Sequence, residues 1–210
     1  EYTQICMLTV EAALYKALVD KGITPDVTAG LSLGEYGALI ASGAMTMEDA
    51  FGVVRKRGIY MQEAVPTGGA MTAVLGLDPE KIEEICKETA QKESAVVSIA
   101  NYNCPGQIVI TGQKDAVDKA AAACSEAGAK RAVPLKVSGP FHSKMLEGAG
   151  EKLGEALKDV EIHDIKVPYI TNVTADYVAS KDDVKDYLKR QVSSSVRWQQ
   201  TIERLIADGA

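Results

Sequence analysis

The chain has 210 residues, enough for one large domain or for a domain that carries an insertion. Hydrophobic residues make up 46% of it and aromatic residues only 5%, so alanine and aliphatic side chains must fill the core. The net charge is -6 without a block of basic residues, which argues against a nucleic-acid partner, and no apolar run approaches the roughly 20 residues that span a bilayer.

The first residues and the cysteines bear on where the protein works. The chain opens at EYTQICMLTV without an initiator methionine, so the lack of a signal peptide is weak evidence. None of its four cysteines forms a C-x-x-C pair (Cys6, Cys86, Cys104 and Cys124). This pattern favours a reduced cytosolic protein with buried thiols over a disulfide scaffold or a zinc site.

The first third of the chain alternates helix and strand signals. Apolar residues at helical spacing from Ile5 to Val19 predict a helix with Gly22 as its expected C-cap, and PDVTAG then predicts a short strand. A second helix is predicted over 35–42, because a helical pattern there is stopped by a glycine. Thr46 is the expected N-cap of a third helix, which ends near Pro66.

The middle of the chain has a different order of elements. From about Ala70 to Val137 the patterns predict β-α-β-β-α-β, with Asp78-Pro79 opening the first of the two helices. This is the ferredoxin-like arrangement, and it predicts a compact insertion. The outer parts alternate strand and helix, which favours a parallel sheet with helices on both faces.

The segment VTAGLSLGEYGALIASG contains a Gly-x-Ser-x-Gly motif centred on Ser32, between a predicted strand and a predicted helix. A serine on such a turn projects its oxygen above the sheet, and the helix N-terminus behind it offers free N–H groups to an oxyanion. Gly30 and Gly34 have no Cβ, so the backbone of the turn could pass close to neighbouring atoms without a steric clash. On these features alone, Ser32 is either a nucleophile or an ordinary serine in a turn.

A serine nucleophile needs a base, and the chain has two histidines. His163 lies in VEIHDIKVPY, a polar link that is typical of a solvated loop. His142 lies in VSGPFHSKM, directly after the predicted insertion, where loops over a sheet edge would gather. His142 is therefore the preferred base, although it could also be a histidine at a helix start without a catalytic role.

Five segments together resemble a known family. They are similar to successive landmarks of the bacterial malonyl-CoA:acyl-carrier-protein transacylases, in family order and at family spacing: GLSLGEYGALIASGAM, VVRKRGIYMQEAV, NYNCPGQIVITG, KRAVPLKVSGPFHSKM and QVSSSVRW. The resemblance covers nearly the whole chain. It implies an α/β fold in which residues 1–69 and 138–210 form a larger α/β-hydrolase-like subdomain with a parallel sheet, and residues 70–137 form the ferredoxin-like insertion.

The resemblance implies a ping-pong transfer in fatty acid biosynthesis, from malonyl-CoA to the phosphopantetheine thiol of acyl carrier protein. Ser32 would be the nucleophile, His142 the general base, and Gln191 the residue whose backbone carbonyl orients the histidine ring. Arg57 would hold the malonyl carboxylate, which a guanidinium can bind in a bidentate fork. The backbone N–H of Leu33 would donate to the oxyanion.

Two residues of the implied acyl site have simpler interpretations. Arg57 stands beside Arg55 and Lys56, so without the resemblance it would be interpreted as a solvated charge on a helix face. Phe141 precedes the histidine, and in related acyltransferase domains an aromatic residue there accompanies malonyl, whereas a small one accompanies the branched unit. Phe141 could equally be an ordinary core residue.

The resemblance implies no cofactor and no metal. The expected partners are malonyl-CoA or CoA and the acyl carrier protein, with no nucleic acid and no membrane, in the cytoplasm. Carrier proteins of this kind are acidic, so a local basic patch must steer them to this acidic chain. The candidate residues flank the His142 loop: Lys130, Arg131, Lys136 and Lys144.

The chain departs from the family pattern in three places. Leu31 stands where the family usually has histidine, and Ser195 stands where Pro-Val-x-Trp has proline. The family's opening strand, whose Pro-Gly-Gln-Gly turn supplies a second oxyanion N–H, is not in this sequence, nor is its closing Gly-Pro-Gly segment. Three alternatives therefore stay open: a serine esterase with the same turn, an acyltransferase domain of a polyketide synthase, and a non-catalytic fragment that docks a carrier protein.

Overall fold

The computed structural model describes residues 2–137 and 139–210. Its helices in chain order are α1 (Thr3–Val19), α2 (Gly34–Ala41), α3 (Met47–Ala64), α4 (Pro79–Glu93), α5 (Lys114–Glu126), α6 (Glu147–Leu157), α7 (Val184–Gln191) and α8 (Trp198–Ala207). Its strands are β1 (Thr28–Ala29), β2 (Gly69–Leu75), β3 (Val97–Cys104), β4 (Gln107–Gln113), β5 (Arg131–Pro134) and β6 (Tyr169–Ile170). Short 3-10 helices at Lys144–Leu146 and Lys181–Asp183 precede α6 and α7.

The strands form two sheets, one parallel and one antiparallel. β1 pairs in parallel with β6, with Thr28 opposite Tyr169. The other sheet has the order β3-β4-β2-β5, and each of its neighbouring pairs is antiparallel. The protein is therefore a mixed α/β fold, as predicted, and the described part of its parallel sheet is a two-stranded pair.

The two sheets belong to two hydrophobic cores. The larger core joins α2, α3, α6 and α7 with β6, and the smaller core joins α4 and α5 with the antiparallel sheet. Every element of the smaller core falls within the predicted insertion, 70–137, apart from the first residue of β2. The two boundary residues Glu1 and Ser138 lie outside the described residues, and the division into subdomains stays a prediction.

Local sequence signals set the helix ends. The Thr46 hydroxyl accepts a hydrogen bond from the Asp49 backbone N–H at 3.1 Å, which confirms its prediction as the N-cap of α3. Asp78 is the N-cap of α4 and Pro79 its first residue, also as predicted, although the Asp78 side chain makes no capping bond. Both helix starts were predictable because the N-cap and the first-turn proline act on the backbone next to them in the sequence.

The cysteines follow the prediction in part. Cys86 and Cys124 are buried in the smaller core, and burial raises the pKa of these thiols to about 12 and about 11. Cys6 and Cys104 are exposed, so the expectation of buried thiols is wrong for these two. Among residues 2–137 and 139–210, no helix is both long and apolar enough to cross a membrane.

The parallel pair determines where distant segments meet. The carboxyl ends of parallel strands lie at the same sheet edge, where α/β proteins commonly bind ligands. Ser32 follows β1 by three residues, and Asn172 follows β6 by two. After α7, Val196 bridges to β3 by exchanging backbone hydrogen bonds with Ala100 and Tyr102. The Arg197 backbone N–H donates to the Asn172 carbonyl, so the segment after α7 lies both at this edge and next to the antiparallel sheet.

Candidate active site

The turn after β1 has the geometry of a nucleophile elbow. Ser32 has φ 53°, in the left-handed region that costs a non-glycine residue about 1–3 kcal/mol. A Cβ on Gly30 would lie 2.0 Å from backbone atoms of Gly34, so the turn requires glycine at position 30. A Cβ on Gly34 would meet nothing within 4 Å. The prediction that both glycines allow close backbone passage is thus confirmed for Gly30 and wrong for Gly34.

A side chain from the neighbouring strand clamps this turn. The Ser32 backbone N–H donates to Asn172 Oδ1 at 2.6 Å, and Asn172 Nδ2 donates to the Gly30 carbonyl at 2.7 Å. One buried carboxamide therefore satisfies both sides of the strained turn. Sequence reasoning missed Asn172. It lies inside the strand that VPYITNV predicts, so its position gave no signal of a role in the turn.

The predicted nucleophile and base are in contact. Ser32 Oγ lies 2.8 Å from His142 Nε2, and His142 Nδ1 lies 2.9 Å from the backbone carbonyl oxygen of Gln191. A carbonyl only accepts, so Nδ1 carries the proton and donates to it. Nε2 is then the free acceptor for the serine hydroxyl. The residues form a serine–histidine pair with a main-chain oxygen in the place where many hydrolases have a carboxylate.

Burial keeps the histidine neutral. His142 is 4% exposed, and its pKa is lowered to about 4, first by burial and then by the charge of Arg57. Hydrogen bonds to the backbone of Gln191 and Ser194 oppose this shift. His163 has no such environment: its side chain is 40% exposed, and its Nδ1 lies 3.7 Å from Glu161 Oε1.

Arg57 is a buried cation beside the serine, and not a solvated charge. It is 2% exposed; its Nη2 donates to Ser32 Oγ and to Gln191 Oε1, both at 3.1 Å, and its Nη1 donates to Gln4 Oε1 at 2.5 Å. Its buried Nε has no partner among the described residues. Burial lowers the pKa of the guanidinium, an effect that the nearby acidic groups of Tyr36 and Glu35 oppose.

Helical spacing could have predicted that Arg57 faces inward. The buried residues of α3 form one stripe at i, i+3, i+4, i+7, i+8 and i+11: Ala50, Val53, Val54, Arg57, Gly58 and Met61. Arg57 lies in the middle of this apolar stripe, whereas the adjacent Lys56 is exposed. A charged residue on the core face of a helix is expensive unless it has partners, so it marks a functional position.

The amide after the serine is available as a donor. Leu33 is the N-cap of α2, and within the described ranges its backbone N–H has no hydrogen-bond acceptor in the protein. The next two amides are already used, because Gly34 donates to the Leu31 carbonyl and Glu35 to the Ser32 carbonyl. An oxygen that acquires negative charge above Ser32 would therefore find the Leu33 amide unoccupied.

Phe141 lies at the edge of the larger core and beside a cavity. It is half-buried and packs against both the larger core and a small cluster of antiparallel-sheet residues. With Gln4, Gly58 and Val137 it lines a cavity of about 360 Å³. Gln4 also accepts from Arg57, so this cavity adjoins the buried cation. Sequence reasoning missed Gln4, which lies in a helix with no motif around it.

The fold and the site together define a class: an α/β protein with a strained serine turn, a buried histidine in contact with it and a buried arginine at the same oxygen. The acyl transferase domain family matches residues 1–210. The chain belongs to this family.

Several relatives are similar over nearly the whole chain. The malonyl CoA-acyl carrier protein transacylase of Bacillus subtilis (strain 168) is 49% identical over 207 residues, which are 98% of this chain and 65% of the relative. The Escherichia coli (strain K12) protein of the same name is 44% identical over 209 residues, 99% of this chain and 67% of the relative. The chain thus spans about two thirds of the length of these relatives.

Solved structures are similar in fold. The MCAT of Streptococcus pneumoniae is 48% identical with a TM-score of 0.95, over 100% of this chain and 68% of that one. A malonyl-transacylase in complex with its type II PKS acyl-carrier protein is 41% identical with a TM-score of 0.95, over 99% of this chain and 67% of that one.

Proposed function

We propose that this chain forms the catalytic part of an acyltransferase that moves a malonyl group from malonyl-CoA to the phosphopantetheine thiol of acyl carrier protein, in fatty acid biosynthesis. The observation that carries the proposal is the buried guanidinium of Arg57, 3.1 Å from the Ser32 hydroxyl. A buried cation at a nucleophile suits an acyl group with a free carboxylate and offers nothing to a plain alkyl ester. The similar proteins named malonyl transacylases support it.

In the first half-reaction, Ser32 Oγ attacks the thioester carbonyl as its proton moves to His142 Nε2. The new oxyanion accepts from the Leu33 amide, which is unoccupied within the described structure. The tetrahedral intermediate then collapses, the carbon–sulfur bond breaks, and the CoA sulfur leaves with the proton from His142. The product is a malonyl ester on Ser32, and the histidine is neutral again.

In the second half-reaction, the carrier thiol takes the place of CoA. His142 accepts the thiol proton through Nε2, the sulfur attacks the malonyl ester, and the proton passes to Ser32 Oγ as it leaves. The Gln191 carbonyl keeps Nδ1 protonated throughout, since it bonds only to an N–H. It also stabilises the transient imidazolium, as a carboxylate does in a hydrolase triad.

The carrier protein is proposed to dock near the His142 loop. Lys136 and Lys144 are exposed there, and Lys136 lines the cavity beside Phe141. The other two candidates, Lys130 and Arg131, are also exposed but lie beside Gly76 and Leu75, at the end of β2 away from Gly69, which adjoins Pro140. The cations near the loop would attract an acidic partner to an otherwise acidic chain. The proposal includes a cytoplasmic location, with the four unpaired cysteines as its support.

The finer description of the fold belongs to the same proposal. The order β3-β4-β2-β5, with α4 and α5 packed on the sheet, supports a ferredoxin-like subdomain over 70–137. The strained turn after β1 supports an α/β-hydrolase-like subdomain over 1–69 and 138–210. A carrier thiol would then reach Ser32 from the side where the two subdomains meet.

The experiment that tests this function compares transfer with hydrolysis. Full-length protein acylated with malonyl-CoA is mixed with holo acyl carrier protein, and malonyl-carrier and free malonate are both quantified. We expect nearly all of the malonyl group on the carrier. Release mainly as malonate would favour the serine esterase, and no acylation at all would favour a non-catalytic carrier-binding fragment.

Replacing Arg57 by alanine should change substrate preference. A hydrogen bond to a charged group is worth about 1.5–3 kcal/mol, so kcat/KM for malonyl-CoA should fall about ten- to a hundredfold. The value for acetyl-CoA, which has no carboxylate, should change little. Steady-state kinetics with both thioesters measures this, with Lys56→Ala on the same helix as the control. Equal losses for both substrates would mean that Arg57 only supports the fold or the CoA.

Replacing Phe141 by serine should admit a branched acyl group. A ring in the acyl pocket leaves no room for a methyl on the α-carbon, and such overpacking costs about 1–3 kcal/mol, or about ten- to a hundredfold. The parent should therefore discriminate against methylmalonyl-CoA, and the variant should accept it. The measurement is kcat/KM for the two thioesters in both proteins. A parent that uses both equally well would contradict the steric role.

A further inference from the structure

A carboxylate that has no part in the steps above lies at the centre of the site. Glu35 is in the first turn of α2, three residues after the nucleophile, and is 0% exposed. Its Oε1 accepts from the Tyr169 hydroxyl. Its Oε2 accepts from Gln191 Nε2 at 2.6 Å and from the Asn172 backbone N–H at 3.1 Å. Burial raises the pKa of this carboxyl, and the hydrogen bonds from these partners oppose that shift because they stabilise the ionised form.

The contact with Gln191 determines which way that carboxamide points. Its Nε2 donates to Glu35 and to the Ser32 carbonyl, and its Oε1 accepts from Arg57. A flipped amide would place NH₂ against the guanidinium and oxygen against the carboxylate, so the flip is strongly disfavoured. The side chain of Gln191 is therefore held between an anion and a cation. Its backbone carbonyl is the group that orients His142.

The contact with Asn172 reaches the serine turn. The backbone N–H of Asn172 donates to Glu35, while its side chain bonds both the Ser32 amide and the Gly30 carbonyl. A shift of Asn172 would release the left-handed conformation at Ser32. The same oxygen of Glu35 thus bonds the residue that clamps the nucleophile and the residue that orients the base.

We propose that Glu35 is a positioning residue for the acyl transfer, whose Oε2 couples the serine turn to the histidine through Asn172 and Gln191. This inference rests on the proposed function, because acyl transfer is the reaction that Glu35 would support. Its test does not, because the probe is not the natural substrate. The negative charge of Glu35 also opposes the effect of burial on Arg57, because it raises the pKa of the guanidinium. It acts on the reacting atoms only through these neighbours.

The test measures nucleophile reactivity without the natural substrate. An uncharged fluorophosphonate labels an activated serine, and the rate at Ser32 is measured in full-length protein by intact mass, per folded molecule. Glu35→Ala leaves three donors unpaired and should reduce the rate at least about a hundredfold, the cost typical of a misplacement near 1 Å. Glu35→Gln preserves an oxygen for Gln191 and Asn172, and should recover most of the loss, to within about tenfold of the parent, because a neutral acceptor is weaker.

Tyr169→Phe is the matched control. It removes the hydrogen bond to Oε1 of the same buried carboxylate and leaves both Oε2 contacts in place. Its labelling rate should stay within about threefold of the parent, even where its unfolding temperature falls. A second readout is the downfield NMR resonance of the His142 Nδ1 proton, identified by its absence in His142→Ala. It should persist in Tyr169→Phe and be lost or exchange rapidly in Glu35→Ala.

The outcomes are separable. A folded Glu35→Ala protein that labels at the parental rate overturns the inference, as does a loss in Tyr169→Phe equal to that in Glu35→Ala. If the alanine variant does not fold, Glu35→Asp decides: its shorter side chain keeps the charge but withdraws the oxygen from Gln191 and Asn172, and a labelling rate within about threefold of the parent overturns the inference. A parent that reacts with the fluorophosphonate but never forms a malonyl adduct contradicts the proposed function instead, and leaves the role of Glu35 standing.

Discussion

Replacing Ser32 by alanine is expected to abolish the covalent malonyl intermediate. The full-length parent incubated with malonyl-CoA should gain one malonyl group, detected by intact mass and located by peptide mapping. The variant should gain none, and its transfer rate should fall by at least about 10⁴-fold, as when a serine enzyme loses its nucleophile. The reason is that, among residues 2–137 and 139–210, the Ser32 hydroxyl alone bonds both the neutral histidine and the buried guanidinium.

Ser195→Ala is a suitable control for this experiment. The Ser195 hydroxyl donates to the Ile99 carbonyl and makes no contact with Ser32 or His142 in the described structure. It should acquire the malonyl group as the parent does. A malonyl adduct that persists in Ser32→Ala and maps to another residue would contradict the assignment of the nucleophile.

Replacing His142 by alanine should have an effect of similar size. Without the base, the Ser32 hydroxyl keeps its proton at neutral pH, and acylation should slow by at least about 10⁴-fold. Stopped-flow or quenched single-turnover acylation measures the step directly. The comparison variant is His163→Ala, because that histidine is partly exposed and lies outside the site. A comparable loss in both variants would argue against His142 as the base.

The pH dependence offers an independent test of the same histidine. His142 must be neutral to accept the serine proton, and burial lowers its pKa to about 4. In the parent, kcat/KM for acylation should therefore stay level as pH falls through the usual histidine range near 6.5, and decline only towards about 4. An acidic limb centred near 6.5 would contradict this.

Stability must be followed over the same range. The folded-state pKa of His142 lies below its unfolded value, so the unfolded chain binds the additional proton between about 6.5 and about 4. The stability that this residue contributes is complete above the upper value and decreases as pH falls through the window. Circular dichroism at each pH then separates loss of fold from loss of a neutral base.

The sequence determined by itself the features that depend on neighbours along the chain. The Thr46 cap, the Asp78-Pro79 helix start and the need for glycine at position 30 follow from local steric and hydrogen-bonding rules. The β-α-β-β-α-β order was also predictable, since periodicity and turn residues mark each element. The spacing of the apolar residues on α3 also indicated that Arg57 faces inward. The neighbouring charges of Arg55 and Lys56 favoured a solvated position instead.

Only the tertiary structure decided which distant groups meet. Asn172 contacts both Glu35 and the serine turn across sequence separations of more than 130 residues, and no local pattern marks such a contact. The same holds for Gln4, which reaches Arg57 from another helix. Parallel pairing of β1 with β6 brings two strand ends to one edge, and burial there lowers the pKa of His142. Desolvation is a property of the surrounding packing, so the neutral base, the buried cation and the carboxylate that orders them appear only once the chain is folded.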